Sequence, residues 1–232
     1  MSAENDWFTA YRRLEEKTGM NPDGHRANVS GTARLKDLPT LFRGGDLTLR
    51  FGWTSKNASQ YLYLWRRAGL IEALGGKSDV YANLVRNRNP DWEKALRMAQ
   101  PAAVLVGHEV LRRAGWITQI PARPEVALPL GKTPSAIHRF AFVHRSDAWF
   151  DAVRPKLRQD LSPLPALTPA WALADLLCGN KRRIALDPDD IDWGALKPKD
   201  LRDLRALPAF LRPERLIRWA GAHLDEQAEM RA

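Results

Sequence analysis

The sequence predicts an α+β chain of two domains, and three observations lead there. The stretch Gly44 to Val85 reads as a short helix, a turn, a longer helix and then a pair of strands. The composition changes at the polar, proline-ended run Arg86-Asn87-Arg88-Asn89-Pro90, the kind of segment at which domains are joined. Beyond that run, apolar helices alternate with short strands. These boundaries assign residues 1–90 to an N-terminal domain and 91–232 to a mixed α/β C-terminal domain.

Taken in order, Asp6 to Thr18 places Trp7, Phe8, Tyr11 and Leu14 on one face ahead of Gly19 and predicts a short amphipathic helix. Asn21-Pro22-Asp23-Gly24 is turn chemistry. Thr32 to Phe42 carries Leu35, Leu38, Leu41 and Phe42 and predicts a second helix, running through Pro39. Gly44-Gly45 then separates it from a short helix bearing Leu47, Leu49 and Phe51.

Thr54 and Ser55 are N-cap types, and Lys56 to Ala68 contains neither Gly nor Pro, so a helix is expected to begin there. Ala58, Tyr61, Leu62, Trp65 and Ala68 recur at three- and four-residue spacing and form a stripe that can pack on the short helix before it. The opposite face presents Lys56, Asn57, Ser59, Gln60, Tyr63, Arg66 and Arg67, hydrogen-bonding groups and cations of the kind that meet base edges and phosphates. Gly69 closes the helix. Leu70 to Leu74 and Val80 to Val85 read as two strands around the turn Gly75-Gly76-Lys77-Ser78-Asp79. This is the element order of a winged helix-turn-helix, in which the second helix enters the major groove and the hairpin tip, here carrying Lys77, lies against the backbone. The bland alternative, a solvated polar face, is weakened by the conjunction of a capped helix, a Gly-ended terminus and a basic hairpin tip.

In the second domain, Asp91 to Met98 and Ala102 to Ala114 read as helices on either side of Pro101, and Glu125 to Leu130 and Ile137 to His144 as strands. Trp149 to Leu157 reads as helix. Thr168 and Pro169 open an apolar helix, Ala170 to Cys178, which Gly179 ends. Pro198 to Met230 is a helical region broken at Pro208 and Pro213, with an apolar face and a flank of Arg202, Arg205, Arg212, Arg215 and Arg218.

The charge distribution agrees with a polyanionic partner. The 232 residues carry a net charge of +9 with a pI near 10.0. From Arg26 to Arg88 there are 11 Lys plus Arg against 4 Asp plus Glu, a surplus of +7 in about a quarter of the chain. No apolar run approaches the length of a membrane span, MSAENDWF lacks the apolar core of a signal peptide, and the lone Cys178 forms no internal disulfide, so a cytoplasmic protein is expected.

No catalytic constellation emerges. The five histidines show no HExxH spacing and no CxxC accompanies them. GxxxxGK[ST], GxGxxG after a strand and GxSxG are all missing. Asp187, Asp189, Asp190 and Asp192 lack the Gly and terminal Glu of a calcium loop. Catalytic residues, metal ligands and a cofactor are therefore not expected.

The segment WRRAGLIEALGGKSDVYANLV, a helix followed by a Gly-rich basic wing, resembles the N-terminal winged-helix domain of the AbiEi-type antitoxins of bacterial type IV toxin-antitoxin and abortive-infection systems. PAAVLVGHEVLRRAGWITQIPARPEVALP is similar to a segment of the family's second domain. TPAWALADLLC resembles its helix of the form S/T-P-x-x-A-L-x-D-L-L, which places Asp175, Leu176 and Leu177. The resemblance spans roughly Arg34 to Asp192 and leaves the basic end outside it. It implies a non-enzymatic repressor that binds inverted repeats in double-stranded promoter DNA of its own operon and counteracts a nucleotidyltransferase-like toxin. The DNA-reading residues it implies are Ser55, Lys56, Asn57, Ser59, Gln60, Tyr63 and Arg67, with Lys77 at the wing. Two other classes stay open on the residues: a metal-dependent nucleic-acid enzyme using the Asp187 to Asp192 cluster, and a protein-docking module.

Overall fold

A computed structural model of the protein describes residues 31–75, 77–135, 137–160, 162–179 and 186–229, an α+β chain with two sheets. The helix expected over Asp6 to Thr18 lies outside these residues. The chain divides into two compact units, Met1–Ala99 and Gln100–Ala232. The division falls after the helix that follows Pro90, since that helix packs on a strand of the first unit.

The first unit runs α1 (Gly31–Asp37), β1 (Leu41–Arg43), α2 (Gly44–Phe51), α3 (Ser55–Arg67), β2 (Ile71–Ala73), β3 (Val80–Asn83) and α4 (Trp92–Ala99). The helix expected over Thr32 to Phe42 stops at Asp37. Pro39 disfavours the helical conformation in the residue before it, so Leu41 and Phe42 pass into β1 instead. Gly44 and Gly45 form the start of α2 rather than a break ahead of it. Of the side chains assigned to the apolar face of the helix expected over Thr32 to Phe42, Leu35, Leu38 and Phe42 are nonetheless buried with Leu47, Trp53, Ala58, Leu62, Trp65 and Ile71 in one core, while Leu41 is half-buried.

The three strands form an antiparallel sheet of order β1-β3-β2, with Phe42 opposite Tyr81 and Glu72 opposite Ala82. β3 ends at Asn83, and Leu84 to Arg86 is turn, so Val85 stands outside the strand in which it was expected. The central strand carries Asn83, the one fully buried amide among the unit's described residues. Its Nδ2 donates to the carbonyls of Leu35 at 2.6 Å and Leu38 at 3.4 Å, its Oδ1 accepts from the Arg86 N–H, and its own N–H donates to the Thr40 carbonyl. Arg86 Nη1 adds bonds to the Lys36 and Leu38 carbonyls at 3.1 Å. Asn83 of the sheet and Arg86 of the turn after it thereby satisfy carbonyls at the end of α1.

The second unit runs β4 (Val104–Val106), α5 (His108–Arg113), β5 (Glu125–Pro129), β6 (Ala141–Arg145), α6 (Asp147–Val153), β7 (Leu157–Arg158), β8 (Ala166–Leu167), α7 (Pro169–Gly179), α8 (Pro198–Arg205) and α9 (Pro213–Glu229), with single 3-10 turns between. Its sheet has the order β6-β5-β4-β8-β7 and is mixed, β4 running parallel to β8 and β5 to β6. The helix expected over Ala102 to Ala114 is a strand followed by a short helix. Val104, Leu105 and Val106 are buried on both faces, and a short apolar run of this kind has no period that separates strand from helix. The strand expected over Ile137 to His144 begins at Ala141, and the helix expected to reach Leu157 ends at Val153 and passes through a 3-10 turn into β7.

Helix α7 has no polar face, and Ala170 to Leu177 is buried throughout, with α5, α8 and α9 packed around it. Its one acid, Asp175, accepts two hydrogen bonds from Arg145, at 2.8 and 3.3 Å, and one from Trp149 Nε1 at 2.9 Å. A second buried acid, Glu109, accepts from Arg112 and Arg113 at 2.6 to 2.8 Å. Burial works to raise the Glu109 carboxyl, but these hydrogen bonds outweigh it and hold it below the usual carboxylate range.

Two stability predictions follow from these buried groups. Asn83→Ala removes the two bonds from Nδ2 to the Leu35 and Leu38 carbonyls and the acceptor of the Arg86 N–H, and lowers unfolding free energy by about 1 to 3 kcal/mol, read from urea denaturation. A carboxyl held low stabilises fully above its ordinary range near pH 4 and loses that contribution as pH falls through the folded value. Glu109→Gln therefore starts less stable at pH 7 and shows a shallower loss of thermal midpoint between pH 6 and pH 3 than the parent, as scanning calorimetry would record.

Candidate nucleic-acid interface

Helix α3 is set by its two ends. Thr54 is the N-cap, its hydroxyl accepting from the Asn57 N–H at 3.3 Å. At the other end Gly69 takes φ of 68°, which lets its N–H reach the Arg66 carbonyl and the Leu70 N–H reach that of Trp65. This is a Schellman closure, open to glycine because an L side chain resists that conformation. The same four residues, Arg-Arg-Ala-Gly, close α5 through the same bonds, Gly115 to Arg112 and Trp116 to Leu111.

Between these ends the helix is two-sided. Ala58, Leu62 and Trp65 are buried and Tyr61 is half-buried, while Ala68, expected on this stripe, is exposed. On α2, Leu47 meets the core, but Leu49 is 84% exposed and does not pack on α3 as expected. With 3.6 residues per turn, Lys56, Gln60, Tyr63 and Arg67 form a line opposite the buried stripe, about 16 Å long. All four are exposed, as are Ser55, Ser59 and Arg66. Asn57 is half-buried at the capped edge. The sequence-derived face therefore exists as one surface, with Asn57 at its margin.

The cations of this face are free of the fold, whereas four other arginines of the unit are engaged in it; the side chains of Lys36, Arg88 and Lys94 are exposed and, among the described residues, unpaired as well. Arg34 lies over the rings of Trp53, at 4.9 Å, and Phe51. Arg43 pairs with Asp79 at 2.9 Å and donates to the Met98 carbonyl. Arg50 donates to the Asp37 carbonyl, and Arg86 caps α1. Lys56, Arg67 and Lys77, by contrast, have no ion-pair or hydrogen-bond partner among the described residues. Arg66 is intermediate. Burial and Asp79 raise the Tyr81 hydroxyl above its ordinary value and the Arg66 charge opposes them, which places Arg66 on the hairpin side of α3.

Gly75 and Lys77 both take positive φ, 68° and 61°, and the Ser78 N–H closes onto the Gly75 carbonyl at 3.0 Å. Lys77 is exposed. Its neighbour Asp79 has its carboxylate drawn to Arg43 and its carbonyl bonded to the Gly44 N–H, so the one acid beside the tip is already neutralised.

Sequence reasoning missed Trp53, whose ring stacks on Tyr61 at 4.2 Å and touches Phe51 and Trp65. Its signal is its place, a large aromatic between Gly52 and Thr54 in the turn that joins the two helices. Arg43 and Asp79 were missed because the sequence separates them widely.

The acidic stretch of the second unit has a different use. Asp187 Oδ1 accepts from the Asp189 N–H, Asp190 from the Asp187 N–H and Asp192 from the Gly194 and Ala195 N–H groups. These carboxylates cap their own turns, and Asp189 meets His223 at 3.3 Å. Among the described residues no group of three His, Cys, Asp or Glu is arranged to hold a metal ion. Burial raises the Cys178 thiol against the opposing charge of Arg215, which keeps it protonated on α7. No helix among the described residues is long and apolar enough to cross a membrane.

No protein-family model and no curated protein matches the chain. Among solved structures it is similar to the RV2827C protein from Mycobacterium tuberculosis, with 18% identity and a TM-score of 0.50 over 85% of this chain and 78% of that one. At that identity the likeness concerns the fold alone.

Proposed function

We propose that the first unit is a winged helix-turn-helix that binds double-stranded DNA, with α2 and α3 as its helix pair and the β2–β3 hairpin as its wing. The observation that carries this reading is the line of exposed cations on one face of α3 and at the hairpin tip, Lys56, Arg67 and Lys77, whose side chains have no partner among the described residues, while Arg34, Arg43, Arg50 and Arg86 are engaged in the fold. A helix of this width fits the major groove, and its first turns meet the base edges. Gln60, Ser59 and Asn57 then read bases, Gln60 with the two-bond geometry suited to adenine. Lys56, Arg66, Arg67 and Lys77 neutralise phosphates, while Ser55 and Tyr63 border the groove.

The resemblance to AbiEi-type antitoxins extends the reading to a repressor of its own operon, acting on promoter inverted repeats and, through the second unit, against a nucleotidyltransferase-like toxin. A palindromic site calls for two copies of α3, one per half-site.

Gel-shift titration on the DNA immediately upstream of its gene, against a shuffled duplex of equal length at two salt concentrations, tests the reading. Preference for the upstream DNA that persists at the higher salt is the expected result, and equal, salt-sensitive binding to both duplexes would sink it. Within that assay Gln60→Ala costs about 1 to 3 kcal/mol on the preferred site and relaxes the preference. Lys77→Ala weakens binding to both duplexes alike and lowers the salt slope by about 1.

A further inference from the structure

The basic stretch near the end of the chain takes no part in the function proposed for the first unit. Helix α8 buries Asp200, Leu201, Asp203 and Leu204, so its period turns Lys199, Arg202 and Arg205 to solvent. Its acids do not reach the surface. Asp203 receives Lys156 at 2.8 Å, and Asp200 Oδ2 accepts the Lys197 N–H at 3.0 Å. The chain then passes Phe210, half-exposed and edge-on to Trp171 at 6.0 Å, and reaches Arg212 and the exposed Arg215 and Arg218 of α9. Arg212 and Arg215 both act electrostatically on the Cys178 thiol, which brings their charges to the same end of α7. Among the described residues from 197 to 218, Glu214 is the acid left exposed.

A solvated helix interleaves charges of both signs. On α8 the acids point inward and the cations outward, and the outward ones there and at Arg212 are mostly arginines, whose planar forks match phosphate oxygens. Apolar surface of the kind that forms the core of a protein interface is limited to Phe210 and Ile217. From this charge complementarity we infer that α8 and the turn into α9 form a sequence-independent binding surface for the phosphodiester backbone of nucleic acid, separate from α3.

The test uses the full chain, a random-sequence DNA duplex and an RNA duplex of the same length, with anisotropy titrations across a series of salt concentrations. Removing charge with R202Q, R205Q and R212Q together lowers the slope of log affinity against log salt by about 2 to 3 on the DNA duplex. It weakens binding to upstream and shuffled DNA by the same factor. Replacing the same residues with lysine restores most of the slope, which separates charge from folding. A larger loss on RNA than on DNA assigns the surface to RNA, and the converse assigns it to DNA. An unchanged slope on both duplexes overturns the inference. The reading of α3 is scored apart from it. If K56A with R67A leaves DNA affinity intact while the α8 substitutions remove it, that reading fails and this inference stands.

Discussion

The first unit depends on the aromatic contact at Trp53. The turn between α2 and α3 holds only Gly52, Trp53 and Thr54 outside the helices, and so short a connection does not by itself fix a crossing angle. Gly52 turns the chain through φ of 67° and bonds back to the Thr48 carbonyl, while Thr54 caps the next helix. Between them the Trp53 ring stacks on Tyr61, leans on Phe51 and Trp65, and is covered by the Arg34 guanidinium. One side chain therefore touches α1, α2 and α3 together. A buried aromatic of this kind is worth about 3 to 5 kcal/mol against alanine, a large share of the stability of a small domain. The orientation of the exposed face of α3 follows from that contact.

Electrostatics then separates two populations of cation. Arg34, Arg43, Arg50 and Arg86 are held by rings, a carboxylate or main-chain carbonyls. Their charge is partly answered where they stand, and moving them onto a ligand would break a bond of the fold. Lys56, Arg67 and Lys77 make no such bond among the described residues. An anion that met them would break no bond of the fold, and release of counterions from a polyanion would favour such a meeting. Composition supplies the surplus of positive charge, whereas the fold decides which part of it is available.

Much of this site was legible in the sequence because its signals are local. Thr54, the Gly-free run behind it and Gly69 mark both ends of α3 within 16 residues, and the helical period sorts its two faces. The errors arose where the deciding interaction is not local. The apolar spacing continues past Pro39 and so predicts helix on both sides of it, although the same side chains serve equally well from a strand. Val104 to Val106 was read as helix because a fully buried strand has no alternation to display. Leu49 was placed in the core on type alone, and its exposure depends on how α2 is rotated, which Leu47 and Trp53 decide. Asn83 carried no signal in the sequence at all. It reads as an ordinary polar residue near a turn, and its role appears only when α1 brings two carbonyls to it.

The second unit shows why net charge understates the positive surface. Asp175 and Glu109 are buried against Arg145, Arg112 and Arg113, and Asp203 against Lys156. In each of these pairs the acid is the more enclosed partner: the Arg145 side chain is 22% exposed against 7% for Asp175, and Lys156 is 34% exposed against 12% for Asp203. A long cationic side chain can bury its stem and leave its head near water, whereas a short carboxylate cannot. Acids that stabilise the interior are thus withdrawn from the surface, while the cations that pair with them remain partly on it. The formal charge of +9 counts both equally. A polyanion approaching this chain meets a surface more positive than composition indicates, and it does so without any increase in the number of basic residues.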